Sequence, residues 1–237
     1  MSDKTLARQA LAEFLGTAFL VAAVVGSGIA AQRLSPHDNG LELLENTVAT
    51  AAALVAIIFA VGSVSGAHLN PVVTLVDRVF GGVSNRAAAI YIVAQFAGAS
   101  TGAVVANTMF GLPAMALSHH HRATGPHLFA EGVATFGLVL VVFGVARAGR
   151  GQVVPFAVGA YIAAAYWFTS STSFANPAVT FARMLTNSFA GIAPTSVPGF
   201  VGLELLGGAL GAACIAVLYP NEHQDAGDVL LHHEEAA

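Results

Sequence analysis

Charge is scarce in this chain. Of its 237 residues only 9% are Asp, Glu, Lys or Arg, against about a quarter in an ordinary soluble domain. Together with 56% hydrophobic residues, that shortage excludes a soluble globular domain, because uncharged runs of span length recur along the chain. Nothing in it is basic enough for a nucleic-acid surface. Cysteine is nearly absent too. The single thiol, Cys214, excludes an intrachain disulfide and leaves the redox compartment open. The start, "MSDKTLARQALAEF", has no small-residue cleavage site after a short apolar core, so the first segment is expected to be a retained span. The apolar segments hold no nucleophile–base pair and no metal-ligand spacing, which argues against an intramembrane enzyme, a cofactor or a metal site.

What the chain does have is six apolar runs, placed at about Ala10–Ala31, Asn46–Ser65, Arg86–Leu112, His127–Ala146, Val153–Thr172 and Val197–Tyr219. Two shorter apolar pieces are left over, Pro71–Phe80 and Pro177–Ser188. As helices these rise only ~15 Å, about half of a ~30 Å hydrocarbon core. Lys4, Arg8, Arg78, Arg86, Arg147 and Arg150 fall on one side of this arrangement, and Arg33, Arg122 and Arg183 on the other. The positive-inside rule then puts both termini in the cytoplasm of a multi-pass protein of the cell (inner) membrane. One transmembrane domain is expected over residues 1–220, followed by an acidic cytoplasmic tail, 221–237, expected to be disordered.

The chain also repeats itself. "AEFLGTAFLVAAVVG" (12–26) resembles "AEGVATFGLVLVVFG" (130–144), "QFAGASTGA" (95–103) resembles "ELLGGALGA" (204–212), and "HLNPVVTL" (68–75) resembles "FANPAVTF" (174–181). Three landmarks recur in the same order in halves of about 9–112 and 127–220. Each half holds three spans, an odd number, so the second inserts upside down relative to the first, and a translocation site is expected at their midplane interface. The small-residue stretches "GASTG" and "GGALG" read as helix packing within one protomer.

The Asn-Pro pairs have a physical reading. Pro suits the first helical position, where its missing N–H would be unpaired anyway. Asn suits the N-cap before it, its side-chain oxygen accepting a free backbone N–H. Asn70-Pro71-Val72 and Asn176-Pro177-Ala178 therefore start two short helices that meet N-terminus to N-terminus at the midplane. Each Asn then offers its NH₂ group to the lumen as a donor. The two positive helix ends disfavour cations there. A water that accepts from both Asn residues has its oxygen occupied, which interrupts a proton wire. Such a device passes neutral hydroxylated solutes.

These residues resemble the major intrinsic protein family, the aquaporins and aquaglyceroporins, over "AEFLGTAFL", "SGAHLNPVVT", "AQFAGASTGA" and "ANPAVT". The resemblance implies an all-α membrane fold of six transmembrane helices plus two re-entrant half-helices in an inverted repeat. It also implies a homotetramer with one pore per protomer. Carbonyls of Gly66, Ala67, His68, Ser173 and Phe174 would form an acceptor ladder, and Glu13 and Glu131 would hold the two loops by hydrogen bonds. Most members place Arg directly after the second motif to build, with an aromatic residue, the narrow outer filter. Here that residue is Val179. Counting back from the Asn residues puts Thr50, Ala164 and Ser173 at the other filter places, with Ala163 or Ala165 one residue away. This set predicts a wider, uncharged constriction, similar to that of bacterial aquaglyceroporins associated with arsenite permeation. The expected function is a passive channel for small neutral solutes: metalloid hydroxides such as arsenite, glycerol-like polyols and water. A secondary transporter and a predominantly water-conducting aquaporin are the alternatives. Against a transporter, few ionisable groups beyond Glu13, Glu131 and Glu204 lie in the spans.

Three features read more plainly. "SHHHR" (118–122) is an exposed polar loop, with metal binding or pH sensing as its alternatives. Arg183, one turn beyond Val179, is a basic residue at the external helix end, although it has the length to reach back to the mouth. Trp167 is an interfacial anchor near the outer end of the fifth span.

Overall fold

The computed structural model describes residues 3–220, so the tail expected to be disordered lies outside the described residues. Eight α-helices follow one another: α1 (Asp3–Leu34), α2 (Asn39–Ser65), α3 (Pro71–Phe80), α4 (Asn85–Met109), α5 (Gly125–Arg147), α6 (Val154–Phe168), α7 (Pro177–Arg183) and α8 (Val197–Leu218). No strand occurs among the described residues. Six of the helical segments are long and apolar enough to cross a membrane. α3 and α7, at 10 and 7 residues, rise only ~15 and ~10 Å.

Local chemistry sets several boundaries that hydropathy alone misplaces. α2 starts at Asn39 rather than Asn46 because the Asp38 carboxylate accepts the Leu41 N–H at 2.9 Å. α1 runs back to Asp3, well before Ala10, through a polar turn rich in good helix formers. The fifth span stops at Phe168 rather than Thr172. The second short piece ends at Arg183 instead of Ser188, since Met184 and Leu185 bond three residues back, to Phe181 and Ala182, in a tightened last turn.

The two halves are packed alike. α1 packs on α2 and α4, as α5 packs on α6 and α8; between halves, α2 meets α6, α3 meets α7, α4 meets α7, and α3 meets α8. Small residues permit the closest approaches. A Cβ at Gly98 would collide with the Phe14 carbonyl, and one at Gly207 with the Gly132 carbonyl. The small-residue stretches are thus intraprotomer packing faces. Basic residues sort to two ends. At one, Arg86 pairs with Asp3 at 3.0 Å, and Arg147 stacks on Phe80 and donates to the Tyr219 carbonyl. At the other, Arg33 donates to the Phe110 carbonyl at 2.7 Å, and Arg122 ties down the carbonyls of Gly191 and Phe189 at 2.8 and 2.9 Å.

Candidate functional site

α3 and α7 begin as their sequences require. Asn70 Oδ1 accepts the Val72 N–H at 2.9 Å, and Asn176 Oδ1 accepts the N–H groups of Ala178 and Val179 at 3.1 and 3.3 Å. Pro71 and Pro177 occupy the first helical turn, and Pro71, Val72, Pro177 and Ala178 are all buried. The amides then cross between halves. Asn70 Nδ2 donates to the Ala175 carbonyl at 2.7 Å, and Asn176 Nδ2 donates to the Leu69 carbonyl at 2.8 Å. Each carboxamide therefore uses one N–H to hold the opposite loop and keeps one for the lumen. The expectation that the whole NH₂ group faces the lumen is corrected by that exchange.

The loops ahead of the Asn residues are bent into left-handed backbone at non-glycine positions. Ala67 and Leu69 have φ of 47° and 52°; Thr172, Ser173 and Ala175 have 64°, 50° and 48°. Such residues cost on the order of 1–3 kcal/mol each and persist only where surroundings hold them. Two buried carboxylates, Glu13 and Glu131, bond to these loops. Glu13 accepts from the His68 and Leu69 N–H groups at 2.9 and 2.7 Å, the Ser65 hydroxyl at 2.7 Å and Gln95 Nε2 at 2.8 Å. Glu131 accepts from the N–H groups of Phe174 and Ala175 at 3.0 and 2.8 Å.

A cavity of about 70 Å³ runs past both Asn residues. At ~10–15 Å³ per water position it accommodates on the order of five waters. One wall is aliphatic, with Leu20, Val24, Leu54, Leu138, Val142 and Val158 among its residues; the other follows the two bent loops through Ala67, His68, Leu69, Ser173, Phe174 and Ala175. Leu69 and Ala175 join the expected loop residues there. Gly66 does not line the cavity; its left-handed backbone (φ 84°) and its N–H to the Gly62 carbonyl end α2 instead. The His68 side chain does line it, with Nδ1 3.1 Å from Thr74 Oγ1 and Nε2 3.6 Å from the buried Asp77 carboxylate.

Of the residues expected to form the filter, Thr50, Ser173 and Val179 line the cavity, but Ala164 does not. Ala164 is exposed on the far face of α6, and Ala165 is buried without reaching the cavity. The face of α6 that lines it is Val154, Val158, Ile162 and Tyr166, spaced every four residues. Tyr166 donates to Thr50 Oγ1 at 3.3 Å across the mouth, so an aromatic residue stands where the count back from Asn176 placed an alanine. That i, i+4 register was available in the sequence and was the missing signal. Arg183, the last residue of α7, is also in the lining and only 2% exposed, so it reaches back toward the cavity rather than serving merely as a basic residue at a helix end.

The histidine loop is held from below. The Ala193 N–H donates to the His120 carbonyl at 2.8 Å, His121 Nδ1 sits 3.3 Å from Thr195 Oγ1, and the His119 N–H donates to Asn187 Oδ1 at 3.1 Å. Partial burial, then the neighbouring charge of Arg122, then His119 push His120 below the ordinary histidine range. No group of three or more metal-ligating side chains forms among the described residues.

The family described as Major intrinsic protein matches residues 1–173. The chain is 50% identical over 207 residues to the aquaglyceroporin AqpS of Rhizobium meliloti, covering 87% of this chain and 88% of that one. It is 33% identical over 243 residues to the probable aquaporin AqpM of Archaeoglobus fulgidus, covering 91% and 96%. The aquaglyceroporin structure from Plasmodium falciparum superposes with a TM-score of 0.67 at 20% identity, over 94% of this chain and 99% of that one, a likeness of fold. With the crossed Asn residues and the paired half-helices already in place, these matches show that the chain belongs to the major intrinsic protein family.

Proposed function

We infer that the protein is a passive channel for small neutral solutes and catalyses no reaction. Residues 1–220 form one channel domain of two inverted halves, about 9–112 and 127–220, in a homotetramer of the cell (inner) membrane with both termini cytoplasmic. The observation that carries this reading is the exchange of amide–carbonyl bonds between Asn70 and Ala175 and between Asn176 and Leu69, beside a continuous cavity. It fixes two helix N-termini at one point of the lumen, where donors and positive dipole ends welcome neutral oxygen-bearing solutes and oppose cations.

The substrate class is small polyhydroxylated molecules, with metalloid trihydroxides such as arsenite and glycerol-like polyols ahead of water alone. Val179 supports this, because it places an aliphatic side chain, 5% exposed, against the cavity in the family's Arg position. The aquaglyceroporin name of the bacterial relative points the same way.

A proteoliposome panel of water, glycerol, urea and arsenite tests both parts. Downhill flux that ignores proton and sodium gradients is expected, and uptake above equilibrium would establish a coupled transporter instead. Val179→Arg is expected to cut glycerol and arsenite flux about tenfold or more while lowering water flux less. Unchanged glycerol and arsenite rates would remove Val179 from the filter.

A further inference from the structure

We propose that Arg183 is the fixed cation and principal hydrogen-bond donor of the outer filter, displaced one helical turn outward from Val179 and partnered by Tyr166. The proposal rests on the channel reading above and names the group that sorts solutes at its mouth.

Residues four apart share a helix face, so Val179 and Arg183 lie in one row along α7. Helical side chains lean toward the helix N-terminus, which here is the midplane. A long side chain at 183 therefore covers the turn that carries Val179. The structure shows that outcome, with Arg183 lining the same cavity as Thr50, Tyr166, Ser173 and Val179.

The guanidinium is held from behind and open in front. Its Nε–H donates to the Ala190 carbonyl, and the Phe174 ring centroid lies 3.4 Å from its central carbon. Among the described residues no carboxylate pairs with it within salt-bridge distance, and no protein atom takes a hydrogen bond from either terminal amino group. Four N–H donors on a side chain 2% exposed thus have only the cavity to serve. Leaving a buried guanidinium so incompletely paired is costly unless something in the lumen accepts from it. Water and solute oxygens are what the lumen offers.

Arg122 makes the contrast. It lies 5.6 Å from the same Phe174 ring, but its Nε and Nη2 are spent on the carbonyls of Gly191 and Phe189. One arginine fastens the external loop; the other keeps its donors for the pore. A planar fork of parallel N–H groups fits two oxygens on one small molecule, with Val179 and Ile162 beside it for the carbon or metalloid centre. Neighbouring hydroxyls, as in a 1,2-diol or a trihydroxide, are the matching chemistry. The same charge repels cations, a role otherwise left to the half-helix ends.

The test uses the full-length protein in liposomes and reads water permeability, the glycerol-to-water permeability ratio and sodium conductance. Arg183→Ala is expected to raise sodium conductance roughly tenfold or more, because a unit charge has left a weakly screened passage, and to lower the glycerol-to-water ratio while water still flows. Arg183→Lys is expected to keep sodium out but to show the lowered ratio, since an ammonium lacks the fork. The double variant Val179→Arg with Arg183→Ala returns a guanidinium one turn inward and is expected to restore sodium exclusion, which repair of the external loop alone would not do. Wild-type sodium exclusion and ratio in Arg183→Ala would overturn the proposal. If that variant does not fold, an unaltered ratio in Arg183→Lys overturns it. A wild-type protein that passes no solute at all would instead refute the channel reading.

Discussion

Superimposing one half of the molecule on the other in thought exposes a difference at each loop-holding carboxylate. Around Glu13, Gln95 Nε2 gives hydrogen bonds to both Glu13 Oε2 and Thr74 Oγ1, at 2.8 and 2.9 Å. In the other half Glu204 stands in the place of Gln95 and Thr180 in that of Thr74. Glu204 accepts from Thr180 Oγ1 at 2.5 Å and lies against the Glu131 carboxyl, so these two buried acids share a proton. Gln95 thus contributes two N–H bonds where Glu204 contributes none. The midplane packing differs in the opposite sense. Val72 fills a space that a Cβ at Gly208 would close; in the repeat the matching residues are Ala178 on α7 and Ala99 on α4, two helices that also pack together. Two folds of one plan thus reach the same loop shape by different bonding. The first half brings more N–H donors to its carboxylate; the second places Val179, Tyr166 and Arg183 in the cavity lining.

The largest test of this contrast is to remove each carboxylate. Glu13→Ala, which strands four donors, is expected to lower thermal stability in detergent by about 3–5 kcal/mol, and Glu131→Ala by less. Equal losses would show that the extra bonds of the first half add nothing. Next comes the exchanged volume. Ala178→Val is expected to cost about 1–3 kcal/mol through overpacking, with much of it recovered by Ala99→Gly, which copies the Val72–Gly208 arrangement. Absence of recovery would refute the proposed equivalence. Swapping the polar partners has a smaller effect, and an unequal one in the two halves. Gln95→Glu is expected to destabilise by about 1–3 kcal/mol, and Glu204→Gln to change stability by less than about 1 kcal/mol, since an amide N–H takes the place of the shared carboxyl proton. A larger loss in Glu204→Gln would show that the carboxyl is required there.

The smallest expected effect lies outside the membrane. His120 sits below its ordinary value of about 6.5, so folding favours its neutral form. The stability it lends the loop between α4 and α5 is present above that value and is lost as pH falls through the lower, folded one. Hydrogen exchange at residues 116–122 is expected to quicken modestly between pH 7.5 and 5.5, and His120→Gln to flatten that response. An identical response in the variant would assign it to another group.

Much of this architecture is legible in residues whose chemistry is local. Asn-Pro at a helix start, six uncharged runs and an odd number of spans per half require no tertiary information. The outer mouth was less legible, because it depends on which face of α6 turns inward. Counting from Asn176 assumes a loop of fixed length, and that count selects Ala164. The four-residue spacing of Val154, Val158, Ile162 and Tyr166 selects the lining face that the structure shows. Arg183 was hidden for a related reason. Its burial depends on Ala190 and Phe174, neither of which is within reach of a reading that places a lone cation at a helix end. The carboxamide exchange at the midplane was missed in part, since one N–H of each Asn is claimed by a residue more than a hundred positions away.

That separation bears on how the chain is made. Asn70 and Ala175 are 105 residues apart, and Asn176 and Leu69 are 107 apart. When the first half leaves the ribosome, the Leu69 carbonyl and one Asn70 N–H have no counterpart at membrane depth, where unpaired backbone is not tolerated. α3 therefore reaches its final seat only once α7 has been synthesised and inserted. Ribosome-arrested chains ending before residue 175 are expected to leave α3 open to aqueous labelling. Assembly of the pore is in this sense a single late event, timed by the arrival of its second asparagine.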